Sequence, residues 1–353
     1  MKKILFFAYI FTNSLFAQQA YYNDVDLSLT GINLKNELAT KITNTHTHNL
    51  SYNNAREALK IVDLDPGQGT NVLLIYGFAS GLCPANSSNN NDHRLRNKAD
   101  FGGSQSCEWN REHTYPKGLG TPVFGNTTTP GSDVHHLRAA DVHRNGDRGS
   151  RKFTNGSGNS GIVGSYWYPG DEWKGDIARM MMYMYLRYGS QCLPKNVCVG
   201  SINNTDSNMI NLLLQWNAED PVSPYEDYRN NYLGNASNTY GQGNRNPFID
   251  NPYLATRIWG GQDADDRWEY YLSISDNDID NNIYLYPNPT SNIINIKTDN
   301  EISKVEIYNT LGQIILTTDK TKSINISNLV KNIYIVKITN INGGVSNKTI
   351  IKN

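Results

Sequence analysis

The composition of the chain changes near Ser273, and this change constrains the fold because its two sides follow different periodicities. Before it, apolar residues recur at helical spacing in several segments, most strongly over residues 175–188. After it, turn residues separate short runs that alternate isoleucine with polar residues, as in residues 333–338. The sequence therefore predicts an α+β chain, with a mainly helical first domain and a small C-terminal β-sandwich.

The first residues have the pattern of an export signal. Lys2 and Lys3 precede an apolar run, and Ala17 provides a small residue for cleavage. That run is too short to span a bilayer, and no later segment is long enough, so we expect a secreted protein without a transmembrane segment. The predicted organisation is a signal peptide at 1–17, a first domain at 18–275, a linker at 276–283 and a sandwich at 284–353.

The four cysteines and the charge balance limit the class of protein. A net charge of -1 excludes a strongly basic nucleic-acid coat protein, so any phosphate must meet a local basic patch. An even number of cysteines in an exported chain favours two disulfides, for which three pairings are possible. We predict that Cys83 pairs with Cys107 and Cys192 with Cys198. The absence of a C-x-x-C motif argues against structural zinc.

Residues 108–151 carry the chemistry, because they hold four of the chain's seven histidines among arginines and carboxylates. Hydrolysis of a phosphodiester needs a base for water, positive charge for the phosphate and a stabilised leaving oxygen. His113 is the candidate base, since neutral imidazole titrates near operating pH. Glu112 and Asn145 are candidate ligands for one Mg²⁺, which prefers oxygen ligands and keeps several waters. Mn²⁺ and Ca²⁺ are alternatives.

The spacing in this stretch predicts two strands, at residues 110–115 and 134–139, followed by a helix at 141–147 with Asp141 as its cap. This arrangement would bring Asn145 beneath the strand that carries His113. Adjacent strand residues point to opposite faces, so Glu112 and His113 can serve one phosphate only where the strand bends or ends. Pro116 favours an ending.

Three motifs resemble those of the endonuclease I family of secreted and periplasmic nucleases: Asn110-Arg111-Glu112-His113-Thr114-Tyr115-Pro116, Asp133-x-His135-His136-Leu137 and Asn145-Gly146-Asp147-Arg148. The resemblance spans most of residues 20–260. It implies the ββα-metal fold of the His-Me finger nucleases, with His113 as general base and Glu112 and Asn145 as Mg²⁺ ligands. It also implies products with a 5′-phosphate and cleavage of DNA, and of RNA in many members, with little sequence preference.

The chain departs from this family at two points. Some members have a second acidic residue where this chain has Asn110. Some relatives bind the phosphate with an arginine between the two strands, but residues 118–132 contain none. The phosphate-binding role must then pass to another arginine, for which Arg148 and Arg138 are the candidates.

The tail resembles the C-terminal sorting domain of the type IX secretion system of Bacteroidetes. The resemblance rests on Tyr286-Pro287-Asn288-Pro289, Leu311-Gly312-Gln313 and residues 345–352. It implies export across the outer membrane by that machinery, with the tail removed or exchanged for a surface anchor. The alternative is an adhesive or carbohydrate-binding sandwich. The tail contains no cysteine or histidine, which makes it a poor place for catalysis.

The main hypothesis is a monomeric, secreted, Mg²⁺-dependent endonuclease that acts on DNA, and also on RNA, without sequence specificity. The alternative is a catalytically inactive surface protein that binds nucleic acid or glycan. A third hypothesis is a hydrolase of another phosphodiester. Two local questions also stay open: whether His135, His136 and His143 form a zinc site, and whether Arg245 pairs with a phosphate or with a structural carboxylate.

Overall fold

The computed structural model describes residues 20–83, 93–103, 106–126, 129–268, 283–298, 300–309, 312–341 and 345–353. The predicted signal peptide lies outside these residues, as does the predicted linker except Ile283. The chain contains both helices and strands, as an α+β fold requires, and it divides into two compact units after Trp268. None of the helices described is long and apolar enough to cross a bilayer.

The first unit contains the helices. Its described helices are, in chain order, α1 (Gly31–Asn44), α2 (Tyr52–Val62), α3 (Thr129–Ser132), α4 (Val142–Arg148), α5 (Lys174–Tyr188), α6 (Pro194–Val197), α7 (Asn211–Glu219), α8 (Pro224–Gly234), α9 (Pro247–Asp250) and α10 (Tyr253–Trp259). Short 3-10 turns occur at Ala20–Tyr22, Lys117–Leu119 and Gly189–Cys192.

The described strands of the first unit form three small sheets. They are β1 (Leu64–Asp65), β2 (Gln68–Leu73), β3 (Ala79–Leu82), β4 (His93–Asn97), β5 (Trp109–His113), β6 (Leu137–Asp141), β7 (Gly161–Val163) and β8 (Tyr166–Tyr168). One sheet has the order β1-β2-β4-β3, while β5 pairs with β6 and β7 with β8. The β5–β6 pair is antiparallel and carries most of the residues predicted to be functional.

Helix α5 lies at the centre of the first unit. It is buried around most of its circumference and contacts α1, α6, α7 and α9. Its methionines at 180, 181, 182 and 184 are at most 3% exposed. The methionine-rich face is therefore part of the core, where flexible thioether side chains fill irregular gaps between helices.

Local signals set the bounds of several elements. The spacing of apolar residues predicts a helix over residues 52–62, and α2 has these bounds because Ser51 caps it by accepting a hydrogen bond from the Asn54 amide at 3.1 Å. The spacing of apolar residues predicts a helix over residues 27–43, but helix α1 begins at Gly31, which has a positive φ of 57°. The polar composition of residues 87–100 predicts an exposed loop, and residues 87–92 of it lie outside the described part of the chain. For residues 93–97 the prediction was wrong, because they form β4, which pairs with β2 and β3.

In the described part of the second unit, the strands form two antiparallel sheets. They are β9 (Tyr284–Tyr286), β10 (Ile293–Lys297), β11 (Ile302–Tyr308), β12 (Ile314–Asp319), β13 (Ser323–Asn325), β14 (Asn332–Asn340) and β15 (Val345–Lys352). The orders are β13-β10-β9 and β12-β11-β14-β15. Both sheets contribute isoleucines to one apolar cluster, including Ile294, Ile324, Ile307 and Ile350. This is the sandwich that the alternating pattern predicts.

One of the two predicted disulfides is present. Cys83 and Cys107 are bonded, with their Cα atoms 5.5 Å apart. The prediction for Cys192 and Cys198 was wrong, because both are free and buried. Residues 194–197 between them form helix α6, and each thiol belongs to the main apolar core.

Candidate active site

Strands β5 and β6 and the helix that follows them form the framework of the candidate site. In the antiparallel pair, Glu112 lies opposite Arg138 and His113 opposite Leu137. Helix α4 follows β6 directly and contacts both strands. Asp141 fixes its start by accepting hydrogen bonds from the amides of His143 and Arg144, as the sequence predicts for a cap. Arg96 also binds the Asp141 carboxylate, at 2.5 Å.

The two faces of β5 have different neighbours. Strand alternation puts Asn110 and Glu112 on one face and Arg111 and His113 on the other. Helix α4 serves the first face, where Asn145 donates to the side chain of Asn110 at 2.7 Å and Arg148 binds Glu112. Strand β5 ends at His113, before Pro116. The backbone beyond His113 therefore does not follow strand geometry, which is the condition under which the neighbours Glu112 and His113 can serve one phosphate.

Glu112 is a buried carboxylate, only 3% exposed. Its Oε1 accepts hydrogen bonds from the Tyr76 hydroxyl at 2.9 Å and from Nη1 of Arg148 at 2.8 Å. Burial raises the pKa of Glu112, while Arg148 and Tyr76 oppose that rise. A cation bound at this carboxylate would further favour its charged form.

His113 is held in one orientation by a backbone carbonyl. Its Nε2 lies 2.9 Å from the carbonyl oxygen of Gly131, and its ring stacks on Tyr52 with centroids 5.6 Å apart. Because a carbonyl can only accept, Nε2 carries the proton and Nδ1 keeps the lone pair. Burial, with His136 nearby, lowers the pKa of His113 to about 3. The imidazole is therefore neutral at physiological pH and can accept a proton at Nδ1.

The oxygen donors suit a hard cation with few protein ligands. Asn145 directs its amide nitrogen to Asn110 and to the carbonyl of Arg111, so Oδ1 is its atom for a cation. Together with the Glu112 carboxylate it offers two oxygen ligands, a set that fits Mg²⁺ because this ion keeps several waters. Among the residues described, no three His, Cys, Asp or Glu side chains form a cluster that could hold a metal.

The two arginines predicted to bind phosphate are both buried. Arg138 is 1% exposed, and its Nη1 binds Asp176 at 2.9 Å. Arg148 is 0% exposed, and it donates to Glu112 and to the carbonyls of His113 and Thr114. A phosphate must reach a guanidinium from solvent, so this burial argues against direct phosphate contact by either residue. Arg148 instead fixes the end of β5.

The other histidines of the stretch do not converge on one point. His135 binds the carbonyl of Asn244 at 3.0 Å, and His136 binds the carbonyl of Pro130 at 2.6 Å. His143 is exposed on α4. A zinc site would need these rings on one ion, so the described contacts do not support the zinc hypothesis.

The question about Arg245 is resolved by its contacts. Its Nε and Nη2 bind both oxygens of Asp250, at 2.8 and 2.6 Å. Because this pair is bidentate and mostly buried, Arg245 takes the structural role rather than the phosphate-binding role.

Sequence reasoning missed three groups that shape the site. Tyr76 and the Gly131 carbonyl orient Glu112 and His113, and Tyr52 supports the His113 ring. Tyr76 ends an apolar run in the sequence. A buried tyrosine hydroxyl needs a hydrogen-bond partner, so this position could have indicated a contact with a polar group of the site. Nothing in the sequence indicates the carbonyl of Gly131, because any residue provides a carbonyl and only the fold aims it.

Comparisons with known proteins show the family of the chain. Residues 30–253 match the family model of endonuclease I, and residues 284–352 match that of a secretion system C-terminal sorting domain. An extracellular ribonuclease of Bacillus amyloliquefaciens is 38% identical over 251 residues, which cover 68% of this chain and 78% of the relative. An extracellular ribonuclease of Bacillus subtilis (strain 168) is 37% identical over 262 residues, covering 70% and 83%. The chain therefore belongs to the endonuclease I family, as a secreted nuclease with a C-terminal sorting domain.

Proposed function

We propose that the chain is a metal-dependent endonuclease that hydrolyses phosphodiester bonds in DNA and RNA with little sequence preference and leaves 5′-phosphates. The observation that carries this proposal is the orientation of His113, whose Nε2 is bound to the Gly131 carbonyl at the end of β5. Its neighbour Glu112 and the facing Asn145 supply oxygen donors for one divalent cation. We expect the protein to act as a monomer.

His113 is the general base in this mechanism. Its Nδ1 takes a proton from the attacking water, while the Gly131 carbonyl keeps the ring in the tautomer that leaves Nδ1 unprotonated. The pKa of His113, lowered by burial to about 3, ensures a neutral ring before substrate binds. The negative phosphate then raises that pKa and favours proton uptake.

Glu112 and Asn145 would hold Mg²⁺, with Mn²⁺ or Ca²⁺ as alternatives. The bound cation supplies positive charge for the phosphate and for the leaving oxygen. Arg148 and Tyr76 keep the Glu112 carboxylate in position, and Asn110 does the same for the Asn145 amide. Such a site would be the ββα-metal arrangement that the sequence motifs imply.

The substrate class is supported by the relatives. Both matched Bacillus proteins are named extracellular ribonucleases, which favours RNA as a substrate alongside DNA. We expect binding through phosphates, so that cleavage weakens as salt is added.

A cleavage assay with His113→Ala tests the proposal. Plasmid DNA and a structured RNA are incubated with the full chain and Mg²⁺, and the variant should lose about 10²–10⁴-fold in rate, the range expected for a general base. His143→Ala is the matched control, because this histidine is exposed on the neighbouring helix, and it should cut normally. EDTA should stop the wild-type reaction.

Three results would contradict the proposal. Full activity of His113→Ala would reject the base, and cleavage that survives EDTA would reject the metal. Tight binding of nucleic acid by a wild type that never cuts it would favour the inactive binding protein instead.

A further inference from the structure

One arginine beside the base stands out because its charge is not compensated. Arg111 precedes His113 by two residues on β5, so both side chains lie on the same face of the strand. Both contact Tyr52: the His113 ring stacks on it, and the Arg111 guanidinium carbon lies 3.5 Å from the centre of the phenol ring. The guanidinium and the imidazole are therefore close neighbours.

Uncharged groups hold Arg111 in place. Its Nη1 donates to the carbonyl of Tyr52, and its guanidinium lies 5.3 Å from the centre of the Phe101 ring as well as against Tyr52. Two aromatic faces and one carbonyl fix the direction of the group without neutralising it. Its remaining N–H groups keep the fork geometry that suits two phosphate oxygens.

Other arginines around the site have carboxylate partners. Arg148 binds Glu112 at 2.8 Å, Arg138 binds Asp176 at 2.9 Å, and Arg56 binds Glu57 at 2.7 Å. Arg111 forms no such ion pair with any carboxylate in the described parts of the chain. It is also only partly buried, so solvent and substrate can reach it.

We infer that Arg111 binds a phosphate of the nucleic-acid strand beside the scissile bond, with Tyr52 and Phe101 as the platform that fixes its guanidinium. This inference rests on the proposed function. It assigns to Arg111 the phosphate-binding role for which the sequence suggested Arg148 and Arg138. An anionic substrate supplies the charge that the protein does not place opposite Arg111.

A purely structural role makes a different prediction. Through the Tyr52 carbonyl, Arg111 also links β5 to the first residue of α2. If this link were its only role, a neutral variant would lose stability but keep the salt dependence of binding. The salt dependence therefore separates the two roles, because it counts the phosphates that the protein contacts.

The test measures binding of the full chain to a fluorescein-labelled DNA duplex in EDTA, where cleavage is not needed, at increasing NaCl. Arg111→Gln should bind more weakly, and the slope of log K against log salt should become shallower by about 0.9, the value for one phosphate contact on duplex DNA. Arg111→Met tests the same loss with a side chain that still packs on the rings, in case the glutamine variant does not fold. Arg111→Lys keeps the charge and should keep the slope.

Arg56→Gln is the matched control. Arg56 also lies against Phe101, at 5.1 Å, but Glu57 neutralises it, so its loss should leave the slope unchanged. The inference is wrong if folded Arg111→Gln or Arg111→Met keeps the wild-type slope, or if Arg56→Gln loses as much. A wild type that cuts and binds nucleic acid while the Arg111 variants keep its slope overturns the inference alone. A wild type that neither binds nor cuts overturns the proposed function too.

Discussion

Arg148 connects the helix of the site to the strand of the site. It is fully buried, and it donates to the Glu112 carboxylate and to two successive carbonyls, those of His113 and Thr114. The carbonyl contacts fix the backbone at the end of β5, and the carboxylate contact offsets the burial that raises the pKa of Glu112. Arg148 thus fixes both the carboxylate of Glu112, the predicted metal ligand, and the backbone of His113, the predicted base.

Arg148→Met should therefore lower the stability of the protein and also slow its cleavage of nucleic acid. Removing one partner of a buried pair leaves the Glu112 charge uncompensated, which costs roughly 3–5 kcal/mol. Urea denaturation of the full chain measures this loss. Arg151→Met is the control, since Arg151 lies three residues after the same helix and its guanidinium donates to the Asp147 carbonyl rather than to a carboxylate, so its cost should stay within about 0.5 kcal/mol. A stable Arg148→Met protein would contradict this account.

At this scale the sequence predicts residue types better than surroundings. Chemistry and motif select Glu112, His113 and Asn145 as candidates, and the structure places the first two on β5 and the third on α4, which contacts β5 through Asn110. Arg138 and Arg148 were predicted to bind phosphate because any arginine is a candidate for that role in a sequence, which does not show the group that its guanidinium contacts. Asp176, the partner of Arg138, lies 38 residues away along the chain, so no local pattern reveals the pair.

At the scale of elements, the one-turn helix α3 controls the orientation of the base. The Gly131 carbonyl accepts from His113, and His136 holds the preceding carbonyl, that of Pro130. Gly131 has no room for a side chain, since a Cβ there would lie 1.9 Å from the carbonyl oxygen of Gly125. The approach of these two backbone segments sets where the carbonyl points.

Gly131→Ala should therefore impair cleavage by displacing α3. We expect a fall in kcat that exceeds any change in KM, because the tautomer of His113 loses its support while the substrate-binding residues remain. Steady-state cleavage kinetics measure both constants. Gly118→Ala is the matched control in the same segment, because a Cβ there has nothing within 4 Å. Equal kinetics of the two variants would refute the role of α3.

The predictability of an element depends on how local its causes are. Helix α2 follows from its Ser51 cap and its apolar face, both visible in sequence. Strand β6 begins at Leu137, three residues later than predicted, because residues 134–136 form a turn around the buried Asp133. That carboxylate accepts hydrogen bonds from Tyr183, Tyr188 and Gln242, which are distant in the chain. Such long-range partners are outside any local pattern.

At the scale of the whole molecule, each unit has its own apolar core. The first unit contains two buried clusters around α5 and α2, and the second contains the isoleucine cluster of the sandwich. Among the residues that the structure describes, none of these clusters mixes residues of the two units. Separate apolar cores agree with separate roles for the two units, export for the sorting domain and cleavage for the nuclease.

A chain that ends at Trp268 should therefore fold and cut as the full chain does, while losing export. Each described core cluster is made of residues from one unit, so the nuclease should keep its core when the sandwich is removed. Thermal unfolding and cleavage rates of both chains measure the effect. An inactive or unfolded truncated chain would contradict the independence of the units.

The two free cysteines give the folded protein a probe of its own opening. Cys192 and Cys198 are 0% and 1% exposed, and burial raises the pKa of both thiols. Alkylating reagents attack thiolates, so these sulfur atoms react only when the surrounding core opens to water. The rate of alkylation by iodoacetamide therefore reports how often the region around α6 opens locally. Bound substrate that stabilises the nuclease would lower this rate.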